Sequence, residues 1–147
     1  MPRPIIGCDR EIARWVGSRL GIDDFGQYVA IGIMRADTLI AGIVYNNHRA
    51  YFGRSHDIDM TIASVDPAWC TRAILSGLFS YPFRQLGCRR VTAVTRVENA
   101  PARRFLNRLG FCEEGVLRAA LPTGDAAIYG MLAEECRWLR NADARST

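Results

Sequence analysis

The sequence predicts a mixed α/β fold, in which a central mixed β-sheet is flanked by helices and the whole of 1–147 forms one domain. Three observations predict it. Apolar residues recur at helical spacing in some segments and alternate, or run β-branched, in others. The order of these segments is helix, hairpin, strand, helix, strand, helix, hairpin. The single strand–helix–strand step lies at the centre, and such a crossover lays two strands parallel with a helix on one face. At 147 residues, 49% of them hydrophobic, the chain is long enough to hold a core without disulfides or metals.

The first helix is expected over Asp9–Leu20. Asp9 is placed to cap it, Ile12, Trp15, Val16 and Leu20 share one side, and Gly21 stands where a C-terminal stop belongs. A hairpin follows, Gln27–Arg35 and Leu39–Asn46, joined by the short turn Ala36-Asp37-Thr38. Ser55–Val65 reads as a third strand, with His56, Ile58, Met60 and Ile62 facing one way and Asp57, Asp59, Thr61 and Ala63 the other. Asp66-Pro67 ends it. A helix is expected from about Cys70 to Leu86, with Ile74, Leu75, Leu78, Phe79 and Phe83 on its apolar side and Pro82 kinking it or loosening its last turns. Arg90–Arg96 alternates as a strand. Asn99 caps a short helix that stops before Gly110, and Pro101 is tolerated in its first turn. Glu114–Leu121 and Ala126–Leu132 form a last hairpin around Pro122-Thr123-Gly124-Asp125, and a polar helical tail carries Trp138.

Composition excludes several classes. The longest apolar runs, Tyr28–Met34 and Leu39–Tyr45, are far shorter than the ~18 residues of a spanning helix. The N-terminus carries no apolar stretch long enough for a secretory signal. A soluble cytoplasmic protein without a membrane partner is therefore expected. The five cysteines lack close, paired spacing, so they read as reduced, packed thiols, and with two histidines no metal site is expected. Net charge is +4, carried entirely by arginine on the basic side. Seven arginines between Arg84 and Arg108 stand against one acid, Glu98, a patch suited to an anion or left as a solvated face.

Chemistry is expected where the strand Ser55–Val65 meets the helix after it. A helix N-terminus there offers unpaired N–H groups, with Thr71 adding a hydroxyl and Arg72 a cation. Asp57 and Asp59, on one face of the strand, are candidate general bases or partners of arginine. Ser55-His56-Asp57 is no triad, because neighbours on a strand point to opposite faces. Cys70, at a helix start, is a candidate reactive thiol.

The run from Arg89 to Phe111 carries Asn99, Ala102, Gly110 and Phe111 at the positions of a strand, N-x-x-A, a short helix and G-F. It resembles the Gcn5-related N-acetyltransferase (GNAT) superfamily. Glu113-Glu114-Gly115-Val116-Leu117-Arg118, Gly124-Asp125 and Tyr129-Gly130-Met131-Leu132 resemble the branch that acetylates ribosomal-protein N-termini. The resemblance covers about Gln27 to Leu132 and is strongest from Leu86 onward.

The resemblance implies acyl transfer from acetyl-CoA or another acyl-CoA to an amine, by direct attack, with no metal. The acceptor would be an amine-bearing small molecule or a protein N-terminus. It implies that coenzyme A lies along Ile62, Ala63, Ser64 and Val65, on the loop and helix start Trp69, Cys70, Thr71 and Arg72, and near Asn99, Arg103 and Arg104. Asn99 is also a helix cap in its own right, and Arg103 and Arg104 are equally a solvated face. Catalysis is implied for Asp57, Asp59 and Tyr129, the last of which also reads as a core residue. Two departures stand out. The family's glycine-rich phosphate loop falls on Asp66-Pro67-Ala68-Trp69-Cys70-Thr71, which has no glycine, and the family's frequent acid tyrosine falls on Leu106. These departures motivate an alternative, a GNAT fold acting as a binding or regulatory module, and the arginine cluster motivates a nucleic-acid-directed role. The acceptor and the oligomeric state, a homodimer included, are left open by the sequence.

Overall fold

A computed structural model describes residues 1–139. Seven strands form one sheet: β1 (Arg3–Ile5), β2 (Tyr28–Arg35), β3 (Thr38–Tyr51), β4 (Arg54–Ser64), β5 (Arg90–Arg96), β6 (Cys112–Leu121) and β7 (Gly124–Leu132). Their order across the sheet is β1-β2-β3-β4-β5-β7-β6. Every neighbouring pair is antiparallel except β4 and β5, which are joined by the predicted crossover and run parallel. The helices are α1 (Asp9–Leu20), α2 (Arg72–Ser80) and α3 (Ala100–Leu109).

Strand alternation divides the core. On one face, Ile74, Leu75, Leu78 and Phe79 of α2 and Leu106 and Leu109 of α3 pack on Ile43, Tyr45, Ile58, Met60, Val91, Ala93, Tyr129 and Met131. On the other, Ile12, Ala13 and Val16 of α1 pack on Ala30, Val44 and Ala63. Each large apolar side chain so buried contributes about 1.5–3 kcal/mol. The α1 helix sits close to the sheet because Gly32 and Gly42 pair beneath it. A Cβ on Gly42 would lie 2.6 Å from the Val16 side chain, so no other residue fits without lifting the helix.

The helix bounds predicted for α1 and α3 match the structure, and the reasons differ at one cap. Cys8, not Asp9, occupies the N-cap of α1, and its side chain makes no capping bond. The Asp9 carboxylate instead accepts from the Ala30 N–H at 3.2 Å and ties α1 to β2. The Asn99 side chain caps α3 by accepting from the Ala102 N–H at 3.2 Å. Pro82 loosens the second helix as expected: α2 ends at Ser80 and the chain continues as a wider π turn over Tyr81–Gln85. The start of α2 is later than the sequence suggests. Pro67–Trp69 forms its own short 3₁₀ turn, and the α-helix begins only after Thr71. β1 was not foreseen, β3 runs on to Tyr51, and β6 starts at Cys112. Trp138 donates its indole N–H to the Leu109 carbonyl at 2.9 Å; the rest of the predicted tail, 140–147, lies outside the described residues.

Candidate active site

The parallel strands β4 and β5 pair in register at one place only, Asp59 opposite Thr92. Before it, the Arg89 N–H donates to the His56 carbonyl at 2.9 Å. Beyond it the strands part. The far side of β4 stays paired with β3 as far as Ser64, so the groups of its inner edge are the ones left without a ladder. A cleft of about 440 Å³ fills the wedge, a size ordinary for a small-molecule site. Met60, Ile62, Ala93, Val94, Phe105 and Leu106 make its walls largely apolar, while Thr61, Ser64, Thr95 and Asn99 add polar groups and Arg108 a cation.

The predicted cofactor residues divide accordingly. Ile62, Ser64, Trp69, Cys70 and Asn99 line this cleft. Ala63 points to the opposite face, into the core under α1. Val65 is half exposed beyond the end of β4 and is not part of the lining. Thr71 is spent as the α2 cap, accepting from the Ile74 N–H at 3.3 Å. The Arg72 guanidinium lies 5.7 Å from the Trp138 ring centre. Arg103 is turned away from the cleft: its Nε donates to the Tyr129 hydroxyl at 3.0 Å, one Nη to the Val97 carbonyl at 2.9 Å, and the other pairs with Glu113. The bond to Tyr129 leads the effects that hold its pKa above the ordinary arginine value. Arg104 is exposed and outside the lining.

The glycine-free loop has its own logic. The Asp66 carboxylate caps the 3₁₀ turn by accepting from the Ala68 N–H at 2.9 Å and forms an ion pair with Arg35. The charge that would face a phosphate is thus partly neutralised, and one loop N–H is already taken. Trp69 is 1% exposed and packs against Phe105 with ring centres 6.0 Å apart, so its bulk builds the cleft wall rather than blocking the cleft. Cys70 donates its thiol to the Pro67 carbonyl at 3.5 Å.

The two aspartates are held differently. Asp57 is buried and accepts from Thr92 Oγ1 at 2.9 Å and from Arg49 Nε and Nη2 at 3.0 and 2.8 Å, while Arg90 Nε, which donates to Thr92 Oγ1 at 3.2 Å, stands 3.6 Å away as an ion-pair partner. Asp59 takes Arg49 Nη2 at 2.6 Å on one oxygen and the Asn47 amide at 2.9 Å on the other. Burial opposes the charge on Arg49, but its bonds to Asp57 and Asp59 outweigh burial and raise its pKa. Arg90 then pairs with Glu114 at 2.7 Å, passing over Gly130. Tyr129 is 1% exposed, buried in the large core, and outside the cleft lining.

Arg49, Thr95 and Phe105 were not singled out by the sequence, and Arg108 only as one member of the arginine patch. Spacing does not reveal Arg49: a regular ribbon closed by Phe52-Gly53 sets it opposite His56, and the register shift between Arg49 and Ala50 is what brings it to Asp57. Among the described residues no cluster of three or more metal-ligating side chains occurs, and no helix is long and apolar enough to cross a membrane.

No protein-family model matches the sequence, and no curated protein matches it. Solved structures do match the fold. RimJ from Mycobacterium smegmatis, in complex with CoA-disulfide, superposes with a TM-score of 0.68 at 18% identity over 97% of this chain and 89% of its own. A mutant spermidine N-acetyltransferase SpeG from Vibrio cholerae gives 0.69 at 14% identity over 96% and 98%. The ribosomal-protein-S5-alanine acetyltransferase from Vibrio fischeri gives 0.62 at 14% identity over 87% and 71%. The sheet order, the single parallel junction and these superpositions agree, and the fold of this chain is that of the GNAT acetyltransferases.

Proposed function

We propose that the chain is an N-acyltransferase that moves an acyl group from a coenzyme A thioester to an amine. The observation that carries this reading is the wedge between β4 and β5. It combines an apolar cleft, suited to an acyl-pantetheine arm, with an unpaired strand edge whose N–H and C=O groups suit the amides of such an arm. The RimJ structure of the same fold is described with a coenzyme A disulfide. That likeness supports the donor class, and it does not extend to the acceptor.

The thioester brings its own activation, so the demands on the protein are positioning and proton handling. The inner edge of β4 around Ile62–Ser64 would orient the carbonyl. Asp59 forms the apex pair with Thr92 through its backbone, and its carboxylate, outside the cleft lining but less enclosed than that of Asp57, is the better candidate to take the proton of the amine, through a water. A C–N bond forms, the C–S bond breaks, and the thiolate takes a proton from water, because Leu106 supplies no acid in the cleft wall. Asn99 and Arg108 stand at the cleft, where a ligand's polar end would meet them. Arg103, Tyr129 and Asp57 act through others: they hold α3, β7 and Arg49 in place.

The test is a thermal shift with acetyl-CoA and with free coenzyme A. Ligand at a hundred times its dissociation constant stabilises by about 2.7 kcal/mol. The parent protein is expected to shift, and Val94→Trp, which fills the cleft from β5, is expected to fold and not shift. No shift of the parent at a concentration of about 1 mM, far above the Kd expected of such a site, would overturn the reading.

A further inference from the structure

The ribbon formed by the ends of β3 and β4 stands clear of the rest of the sheet. The last pair between β2 and β3 is Tyr28 with Asn46, whereas β3 and β4 stay paired out to Tyr51 with Arg54. A two-stranded ribbon alone is marginal in water. This one is braced from root to tip. Arg49 grips Asp57 and Asp59, His48 Nε2 lies 2.9 Å from Ser55 Oγ, and the Tyr51 and His56 rings meet edge to face at 5.7 Å.

Its two-residue tip is Phe52-Gly53, with φ of +52° and +76°. That left-handed pair is the geometry of a type I′ turn, where asparagine is favoured first and a bulky residue is strained. Phe52 is nevertheless there, with a relative exposure of 104%, and both faces of its ring are open. Folding gains nothing from this side chain: it buries no surface and strains the backbone.

The surroundings show what such a ring suits. Tyr51, 58% exposed, lies beside it, and Arg54, exposed, pairs with Tyr51 across the ribbon. His56 follows, and its carbonyl accepts from Arg89, whose side chain is 69% exposed and only loosely paired with Glu134 at 4.0 Å. From His48 to His56 there is no carboxylate. Strand pairing thus brings aromatic and basic groups into one stripe that neither segment carries alone. Open aromatic faces between cations are what unpaired bases and their phosphates require.

We propose that this ribbon binds single-stranded nucleic acid, with Phe52 stacking on a base and Arg54 and Arg89 meeting phosphates. The proposal stands apart from the acyl-transfer reading, since binding is measured without any coenzyme A ligand.

The test is fluorescence anisotropy with labelled single-stranded RNA and DNA of about a dozen nucleotides, at salt of about 50 and 200 mM. Both are expected to bind, more weakly at the higher salt. Phe52→Asn is the informative variant, because asparagine suits the turn. It is expected to melt no lower than the parent and to bind about tenfold more weakly, while Phe52→Trp keeps binding. Arg54→Ala is expected to lower the slope of log affinity against log salt by about 1. Absence of binding at the lower salt overturns the proposal. So does unchanged affinity in Phe52→Asn, which would leave attraction by charge alone. Equal binding to an acidic peptide, lost in the same variant, overturns it in favour of a protein partner.

Discussion

The Thr92 hydroxyl donates to the Asp57 carboxylate at 2.9 Å, beside the one register pair at which β4 and β5 meet before parting. Asp57 therefore pins the apex of the cleft, accepting from Thr92 and Arg49, with the Arg90 charge beside it at 3.6 Å. In Asp57→Asn an amide N–H₂ must face these donors. The loss is expected to be about 2 kcal/mol, the scale for hydrogen bonds to a charged group. Asp59→Asn, at a more open position, is expected to lose less than about 1 kcal/mol. Urea unfolding of both variants decides it, and equal losses would show that Asp57 is not the firmer anchor.

Gly130 lies beneath the Arg90–Glu114 pair, and a Cβ there would collide with both side chains. Its neighbours across the sheet are Thr92 on β5 and Cys112 on β6, so the pair bridges β5 and β6 over β7. Gly130→Ala is expected to displace the ends of Glu114 and Arg90, both free to swing aside, and so to cost at most about 1 kcal/mol, the scale of a partly exposed ion pair. Adding Glu114→Ala relieves the clash, so the double variant should lose less than the sum of the two single changes. Simple additivity in the double-mutant cycle would contradict the crossing.

Elements with local signals were legible. Asn99 and Gly110 bound α3 as predicted, and the alternation of Val91 and Ala93 against Thr92 gives β5 its two faces. The register of the ribbon was not legible. Phe52-Gly53 lacks the asparagine that marks such a turn, so β3 seemed to end at Asn46, and the partnership of Arg49 with Asp57 and Asp59 stayed hidden. Ile62, Ser64, Trp69, Cys70 and Asn99, which the sequence groups where strand and helix ends meet, line the cleft. The roles of Arg103 and Thr71 depend on atoms far along the chain or on a helix start two residues later than the periodicity suggests. Spacing alone carries neither.

Asp59 keeps capacity for a further proton partner, since each oxygen accepts one bond. If it serves as the base, Asp59→Asn lowers kcat by about 10²–10⁴ with acetyl-CoA and a responsive amine, and leaves the thermal shift with coenzyme A unchanged. A kcat within about tenfold of the parent in the variant would assign the proton to another group or to solvent.

Stability is expected to decline in alkali, and two buried groups set where. Burial, and secondarily Tyr81, pushes the Tyr45 phenol well above its ordinary value of 10.0. Burial, and secondarily Asp57, raises the Cys88 thiol above 9.0. Both are protonated and neutral in the folded chain, and Tyr45 donates to the Leu78 carbonyl at 2.6 Å. As pH passes 9.0 and then 10.0, the unfolded chain releases these protons while the folded chain keeps them. The unfolded state then binds fewer protons, so the stability that is fully present below these values falls as pH rises through the window above them. Tyr45→Phe is expected to lose about 1 kcal/mol near neutrality, with the Leu78 bond, and to show a shallower decline above the ordinary tyrosine value. Urea unfolding from neutral pH upward measures both. An undiminished alkaline slope in Tyr45→Phe would mean that the phenol titrates alike in both states.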